Sequence, residues 1–309
     1  MATIERSLIH RMTEQERLAR AWLQVRANHG AAGGDDVSLR RFEHRLELNL
    51  LNLAIDARGG TYQPARARSA WVSNRGKQRR LTILAVRDRV LQRAALDLLE
   101  PRFERSFLDR SFGYRRKRSV VDAVRRVAEL RDAGHRYVID ADIQSCFESI
   151  DHAILLDLLR PRLRDEPLLK LIQQWMPIGA ARGAPRPRGI SLGGVISPLL
   201  CNAYLHTLDA ALERRNIQSV RYADDFVVLC TDAAERQYAL GLVQKQLTAL
   251  RLRLNGRKTR LTDFDEGFQF LGAQFEGRAC QVDIEGRTWT FEAHPADWRP
   301  EIPDWYGDL

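Results

Sequence analysis

The chain has 309 residues, of which 44% are hydrophobic, and it carries a formal net charge of +9. This length and apolar content can bury a core, which excludes a disordered protein. No apolar run approaches the ~20 residues that a membrane-spanning helix needs, and no signal sequence opens the chain, so we expect no membrane partner and a cytoplasmic location. The four cysteines are scattered without a CxxC pair, which argues against a zinc site or a disulfide framework.

Taken in chain order, the predicted elements are mainly helices with a few short strands between them. Apolar residues at helical spacing predict helices over residues 14–28, 39–58, 87–105, 120–133, 155–175, 197–213 and 233–251. The helix over 155–175 is expected to be interrupted at Pro161 and Pro167. Runs of β-branched and aromatic residues predict strands over residues 70–73, 80–83, 137–143, 217–220 and 226–229. We therefore expect an α+β fold.

A basic stretch lies between Arg58 and Arg126. It contains nineteen Lys and Arg residues against six Asp and Glu, a net charge of +13, so the rest of the chain sums to −4. A GC-rich genome would explain why only five of the 49 basic residues are lysine, but it would not explain why the basic residues cluster. Clustered positive charge favours nucleic-acid binding, which should be sensitive to salt because each neutralised phosphate releases counterions.

Two acidic segments carry the strongest signal for chemistry. Asp224 and Asp225 occupy the turn of a predicted hairpin, and Asp140 and Asp142 end a predicted strand. Acidic hairpin turns are common and need no function, but carboxylates on two facing strands suit hard divalent cations. Two Mg2+ ions about 3.5–4 Å apart can activate a hydroxyl and stabilise a leaving oxygen in phosphoryl transfer, and Mn2+ can substitute. Asp140 and Asp142 point to the same strand face, so the spacing alone leaves both as candidates.

Tyr222-Ala223-Asp224-Asp225 resembles the polymerase-palm signature of reverse transcriptases. The order of blocks between residues 17 and 275 is similar to the bacterial group II intron-like lineage of that family. The other blocks that carry the resemblance are Leu81 through Gln92, Ser111 through Arg115, Asp142 through Phe147, Gly189 through Leu200, Leu254-Asn255 with Lys258-Thr259, and Phe270-Leu271-Gly272. The chain looks like a short domesticated relative of the CRISPR-associated or defence type.

The resemblance implies a right-hand polymerase fold with fingers and palm. The expected parts are an N-terminal helical extension (1–69), fingers (70–137), a first acidic palm motif (138–157), a fingers insertion (158–188), the rest of the palm (189–275) and a C-terminal tail (276–309). The tail is too short for a three-helix thumb, so the thumb is expected to be absent or reduced. A protein partner could supply thumb or integrase function by docking the aromatic tail, although a poorly ordered terminus is the alternative.

The implied activity is RNA-directed DNA polymerisation, in which dNTPs extend a DNA or RNA primer on an RNA template during CRISPR spacer acquisition or phage defence. Asp142, Asp224 and the Ile143 carbonyl are the implied metal ligands, and Asp225 completes the catalytic triad. Lys258 falls where polymerases carry a general acid for departing pyrophosphate, with a solvated lysine as the alternative. Two alternatives compete with this activity. The chain could be a polymerase with DNA-templated or template-independent synthesis, or it could be a non-catalytic nucleic-acid-binding subunit of a larger complex.

Two further side chains are implied to face the incoming nucleotide. Phe147 lies five positions beyond Asp142, where the family has an aromatic residue that stacks under the sugar and excludes a 2′-hydroxyl. A phenylalanine that packs in the core is the alternative. Leu192 stands where the family usually has a glutamine that contacts the nucleotide and the template. Because leucine cannot form those hydrogen bonds, reduced fidelity is a hypothesis that this position raises.

Other positions are implied to hold phosphate, primer and template. Arg79 falls where the family places a triphosphate-binding arginine, whose planar fork suits phosphate. The lysine that usually accompanies it is missing, and Arg75 or Lys77 could take its role. Phe270-Leu271-Gly272 resembles the primer grip, with an ordinary strand-turn-strand as the alternative, and Arg115-Arg116-Lys117-Arg118 is the expected nucleic-acid track.

Overall fold

The computed structural model describes residues 7–74, 77–179, 187–284 and 287–291. The chain divides into two compact units, one formed by Met1–Ser106 and Phe147–Tyr204 and the other by Phe107–Cys146 and Leu205–Leu309. Helices and strands are mixed, as the sequence predicts. The finer division into extension, fingers, palm, insertion and tail stays a prediction.

The described helices and strands are numbered in chain order. The helices are α1 (Leu8–Met12), α2 (Gln15–Ala27), α3 (Leu39–Glu43), α4 (Leu46–Gly59), α5 (Val86–Glu104), α6 (Val120–Asp132), α7 (Cys146–Ser149), α8 (His152–Leu163), α9 (Glu166–Trp175), α10 (Ser197–Glu213) and α11 (Ala233–Ala249). The strands are β1 (Arg68–Asn74), β2 (Lys77–Ile83), β3 (Tyr137–Asp142), β4 (Gln218–Tyr222), β5 (Asp225–Cys230), β6 (Arg260–Asp263), β7 (Phe268–Phe270), β8 (Ala273–Glu276), β9 (Ala279–Ile284) and β10 (Arg287–Phe291).

The first unit is built mainly from helices. In α2, the apolar residues Leu18, Trp22 and Val25 recur at helical spacing and are buried, so this helix packs one face against α5. A buried polar contact joins the segment after α4 to α5, where the Tyr62 hydroxyl donates to Asp88 Oδ1 at 2.7 Å. Burial raises the pKa of Asp88 to about 6. β1 and β2 pair antiparallel.

The second unit contains an antiparallel sheet in the order β4-β5-β3-β6. Side chains alternate along a strand, so Val138, Asp140 and Asp142 of β3 share one face. The apolar end of that face belongs to the core beneath α6, where Val138 lies with Val227 and Leu229 of β5. Asp140 and Asp142 lie on the same face at the C-terminal end of the strand, where they are only partly buried. The sheet therefore holds these two carboxylates at its edge, where solvent can reach them.

A second antiparallel sheet, in the order β10-β9-β8-β7, shares this core. Phe268 of β7 stacks on Phe275 of β8 with ring centroids 5.0 Å apart, and Phe264 meets Phe268 edge-on at 5.1 Å. Such aromatic pairs add roughly 0.5–1.5 kcal/mol beyond their burial. The hairpin of β7 and β8 is thereby anchored through its side chains.

Several helix boundaries differ from the predicted ones. The predicted helix 39–58 is two helices, α3 and α4, because the backbone leaves helical geometry at Arg45, where φ is −126° and ψ is 41°. The side-chain amide of Asn49 donates to the Phe42 carbonyl at 2.8 Å, which satisfies an acceptor at the end of α3. The predicted interruption at Pro161 is wrong, since α8 continues through this proline to Leu163. The break comes at Arg164, whose φ is 50°.

Other boundary predictions are confirmed. Ser119 caps α6, and its hydroxyl accepts from the Asp122 backbone N–H at 3.2 Å while the Asp122 carboxylate accepts from the Ser119 N–H at 2.9 Å. This reciprocal capping box satisfies two donors that a helix start leaves unpaired. The interruption near Pro167 is also confirmed, because α9 begins beside it at Glu166.

The first part of the expected tail is regular structure that the sequence analysis missed. β9 and β10 extend the second sheet beyond Glu276. Alternating apolar residues at Cys280, Val282 and Ile284 were the available signal. Trp298, Trp305 and Tyr306 lie outside the described residues. Within the described ranges, none of the helices has the length and apolar character that a bilayer-crossing helix requires.

Candidate active site

The turn between β4 and β5 consists of two residues. Tyr222 pairs with Asp225, so Ala223 and Asp224 alone connect the strands, which confirms the predicted acidic hairpin. Ala223 has a φ of 59°, a left-handed conformation that costs an L-residue about 1–2 kcal/mol. Such a conformation persists only where the surrounding structure supports it. The turn therefore depends on its neighbours.

β3 brings further carboxylates to this turn. Asp142 lies directly opposite Asp225 in the sheet. Burial raises the pKa of Asp225 to about 7, and the next largest causes are the negative charges of Asp140, Asp224 and Asp142. Burial also raises the pKa of Asp140 to about 6. The positive charge of Arg260 lowers this pKa, and the negative charge of Asp142 raises it. The carboxylates predicted from the sequence thus lie close enough to repel one another.

Two side chains of the segment before β6 bind Asp142. The Lys258 ammonium donates to Oδ1 at 2.7 Å, and the Asn255 amide donates to Oδ2 at 2.9 Å. The Asn255 backbone N–H also donates to the Asp142 carbonyl at 2.8 Å. The structure therefore places the predicted Lys258 on a predicted metal ligand, while its role as a general acid stays a prediction. Asn255 was part of the motif that includes Lys258, but the sequence analysis gave it no role.

The donor set fits a hard divalent cation. Carboxylate and carbonyl oxygens are what Mg2+ prefers, and like charges opposite each other on paired strands are unfavourable without a cation. The bridge between Ile143 and Leu254 uses the carbonyls of Asp142 and Arg253, so the Ile143 carbonyl takes no part in that pairing. Within the described ranges, no three His, Cys, Asp or Glu side chains are gathered into a cage around one point.

A buried arginine supports the turn. Arg221 donates from Nε and Nη2 to the two carboxylate oxygens of Asp209 at 2.8 and 2.5 Å, and each residue is only 1% exposed. Its Nη2 also donates to the Ser111 hydroxyl at 2.8 Å, and its Nη1 donates to the Ala223 carbonyl at 2.8 Å. We call Arg221, Asp209, Ser111 and this carbonyl the Arg221 clamp. It fixes the backbone of the residue that carries the positive φ, and the sequence analysis missed it.

The segment before α6 closes over the same turn. The Phe112 N–H donates to the Arg221 carbonyl, and the Arg221 N–H donates to the Arg110 carbonyl, both at 2.8 Å. A Cβ at Gly113 would lie 2.3 Å from the Ala223 nitrogen, so only glycine permits this close approach. The turn is therefore enclosed on its backbone side by residues from a distant part of the sequence.

The predicted nucleotide-contacting residues belong to the first unit. Phe147 is 6% exposed, and its carbonyl accepts from the Ile190 N–H at 2.8 Å. The Leu192 carbonyl accepts from the Thr82 N–H at 2.9 Å, which fixes the backbone beside β2 while the side chain stays half-buried. Arg75 and the side chains of Lys77 and Arg79 lie outside the described residues. Their predicted roles, like those of Phe147 and Leu192, stay predictions.

The predicted primer grip is a two-residue hairpin turn. Phe270 pairs with Ala273, and the connecting Leu271 and Gly272 have φ values of 53° and 83°. Positive φ at both positions is the geometry that matches the twist of paired strands. The expected turn is present, and its contact with a primer stays a prediction.

The four residues of the predicted nucleic-acid track differ in their surroundings. Arg115 is 7% exposed and donates to the carbonyls of Leu108 and Ser111 at 2.6 and 2.5 Å. Arg118 pairs with Asp109, and this hydrogen bond and charge hold the pKa of Asp109 below its usual range. Arg116 and Lys117 are exposed. They are the members of the track that a phosphate can reach in this structure.

Comparison with known proteins gives consistent matches. The chain matches the family described as "Reverse transcriptase (RNA-dependent DNA polymerase)" over residues 69–275. It is 32% identical over 315 residues to protein YkfC of Escherichia coli (strain K12), covering 86% of this chain and 81% of YkfC. It is 34% identical over 155 residues to the group II intron-encoded protein LtrA of Lactococcus lactis subsp. cremoris, covering 48% of this chain and 26% of LtrA. Apo telomerase from Candida tropicalis has a similar fold, with a TM-score of 0.52, 12% identity, and coverage of 69% of this chain and 47% of the telomerase.

The Arg221 clamp gives a test of how the turn is held. Arg221→Lys keeps the charge but has one nitrogen in place of three, so the bonds to Asp209, Ser111 and Ala223 cannot all form. We expect the free energy of unfolding to fall by about 1–3 kcal/mol, measured by chemical denaturation. The control is Arg136→Lys, which alters a surface pair with Asp265 and should cost less than about 1 kcal/mol. Equal losses in the two variants would contradict the clamp.

Proposed function

Because the chain belongs to the reverse transcriptase family, whose members are RNA-directed DNA polymerases and hence nucleotidyltransferases, we propose that it extends a DNA or RNA primer at Asp142, Asp224 and Asp225. The observation that carries this proposal is the strand register. Asp142 and Asp225 stand opposite each other on β3 and β5, and Asp224 occupies the two-residue turn beside them. Rigid strands hold a catalytic group more accurately than loops do, which suits a reaction that depends on positioning.

We propose that two Mg2+ ions are the cofactors, with Mn2+ able to substitute. Asp142, Asp224 and the Ile143 carbonyl would hold them, and the ions would activate the primer hydroxyl and stabilise the leaving oxygen. Asp225, whose pKa is raised by burial and by its acidic neighbours, completes the negative cluster that attracts the cations. The proposal takes Asp142 rather than Asp140 as the metal ligand, and the register that pairs Asp142 with Asp225 supports this choice.

Lys258 supplies a proton donor in this proposal. Its ammonium already lies within the cluster, 2.7 Å from Asp142 Oδ1. The side chain is 56% exposed, so it can leave Asp142 and meet a solvent-facing phosphate. A positioned ammonium can protonate departing pyrophosphate. The same side chain would therefore balance charge before the substrates bind and transfer a proton afterwards.

The substrates in this proposal are an RNA template, a primer and dNTPs. The basic stretch supplies phosphate contacts through exposed residues such as Arg116 and Lys117, and binding should weaken as salt rises. The β7–β8 turn at Leu271 and Gly272 is the candidate contact for the primer end. We propose that this activity serves CRISPR spacer acquisition or phage defence. A protein partner would supply thumb or integrase function.

Asp224→Asn tests the active site. The amide keeps the shape of the side chain but removes a negative charge and a metal ligand, so primer extension on an RNA template should fall at least about a hundredfold. Extension is measured at saturating dNTP with Mg2+ present. The matched control is Asp265→Asn, which removes a charge from the surface of the same unit and should retain the wild-type rate. Wild-type extension by Asp224→Asn would show that the chemistry occurs elsewhere.

Phe147→Ala tests sugar selection. Truncation opens space, so the ratio of kcat/KM for ribonucleotides to that for deoxynucleotides should rise if Phe147 faces the nucleotide. Both this change and the control Phe42→Ala empty a buried site in the same unit, and each should cost about 3–5 kcal/mol of stability. Stability is followed in parallel at a temperature where all variants stay folded. A ratio that is unchanged, or that rises equally in the control, would assign Phe147 to packing alone.

Leu192→Gln tests fidelity. Glutamine adds a donor and an acceptor, and contacts that form only with a correct base pair could add about 1–3 kcal/mol of discrimination. Because the backbone is held by Thr82, the exchange should alter the side chain without moving the chain. We expect misincorporation on a fixed RNA template to decrease, as measured by sequencing the products. Identical error spectra for variant and wild type would place fidelity in other residues.

A further inference from the structure

Half of the residues that line one pocket of the first unit are arginines. Its volume is about 810 Å³, which is within the size range of ligand-binding cavities. It lies between residues of α1, α2, α5 and α8. Its charged lining residues are one acid, Asp97, and five arginines: Arg11, Arg17, Arg102, Arg105 and Arg162. We call this cavity the arginine pocket.

The one acidic residue that lines the arginine pocket does not balance its charge. Asp97 is already paired with Arg93, one turn earlier on α5, at 2.7 Å, and it also accepts from Gln24 at 3.1 Å. Glu14 approaches Arg17 only to 3.7 Å, and the buried Nε of Arg17 donates to no described residue. The other four arginines form no ion pair with a carboxylate in the described part of the chain. The pocket therefore carries a net positive charge, and the Nε of Arg17 is a buried hydrogen-bond donor without an acceptor among the described residues.

The guanidinium of Arg162 is held in a fixed orientation at the pocket. Arg162 donates to the Ser106 hydroxyl at 2.8 Å, and its guanidinium carbon lies 5.5 Å from the centre of the Phe103 ring. Burial lowers the pKa of Arg162, although an arginine stays charged in proteins. A charge held in a partly desolvated place without a carboxylate is unfavourable until an anion binds.

We propose that the arginine pocket binds backbone phosphates of a nucleic acid. All five cations are arginines, whose planar fork matches phosphate oxygens with two parallel hydrogen bonds. Inorganic phosphate and pyrophosphate offer the same chemistry. A chain of phosphates is favoured because four of the five charges come from four different helices and the fifth, Arg105, directly follows α5, so that successive phosphates along a backbone can meet them. This site is additional to the carboxylate cluster and to the track at Arg116 and Lys117.

The test compares two double variants of the full chain with the same change in charge. Arg11→Gln with Arg102→Gln removes two cations from the pocket, and Arg20→Gln with Arg40→Gln removes two exposed cations of the same unit outside it. Binding of a short labelled single-stranded RNA is measured by fluorescence anisotropy over a range of salt concentrations. We expect the pocket variant to weaken binding about tenfold and to lower the salt slope by about 1–2, since each phosphate contact contributes about 0.7 for single strands. The control should change both quantities much less.

A second measurement identifies the source of the phosphate. Pyrophosphate is titrated into the wild-type protein and the pocket variant by calorimetry. Weak pyrophosphate binding together with a pocket-specific loss of RNA affinity supports the proposal. An equal loss of RNA affinity in the two double variants would overturn the proposal. It would also be overturned if wild-type protein bound pyrophosphate tightly and the pocket variant lost that binding but kept its RNA affinity. Because these assays measure binding without dNTPs, a failed extension assay would leave the result intact.

Discussion

Carboxylates that repel one another are held together by the pairing of β3 with β5. The register places Asp142 opposite Asp225, with Asp224 in the adjoining turn, and the raised pKa of Asp225 reflects its burial and these negative neighbours. The apolar core beneath α6 and the aromatic cluster of the second sheet fix the strands on which these groups stand. Hydrophobic burial thus opposes an electrostatic cost, and the residual negative charge is what attracts cations.

The turn itself depends on a second set of interactions. Ala223 adopts a left-handed conformation, and the Arg221 clamp binds its carbonyl while Gly113 allows the backbone of another segment to approach. A buried ion pair such as Arg221 with Asp209 often adds little stability compared with apolar residues, but breaking it is costly. We interpret this pair as a device that fixes one backbone geometry. Because the clamp fixes the Ala223 carbonyl, it also fixes the backbone next to Asp224.

The sequence predicted the elements of the site better than the contacts between them. A run of β-branched and aromatic residues predicted β3, and strand propensity on both sides of an acidic turn predicted the hairpin of β4 and β5, because both signals are local. The Arg221 clamp joins Arg221 to Asp209, which is 12 positions away, and to Ser111, which is 110 positions away. Neither contact follows from the local pattern of a strand or a helix. Arg115 is a position where the local pattern did not predict the exposure of the side chain. Its basic neighbours suggested a surface track, but its guanidinium is enclosed by carbonyl groups of its own loop.

The contact between Lys258 and Asp142 has a consequence for how the protein is made. A side chain that partly neutralises the cluster from within lets the strands pair without waiting for an external ion. Many small metal-binding domains fold only when their metal binds. In this chain the ammonium of Lys258 already offsets part of the negative charge at Asp142. The sheet that carries the carboxylates can therefore form before any cation is present.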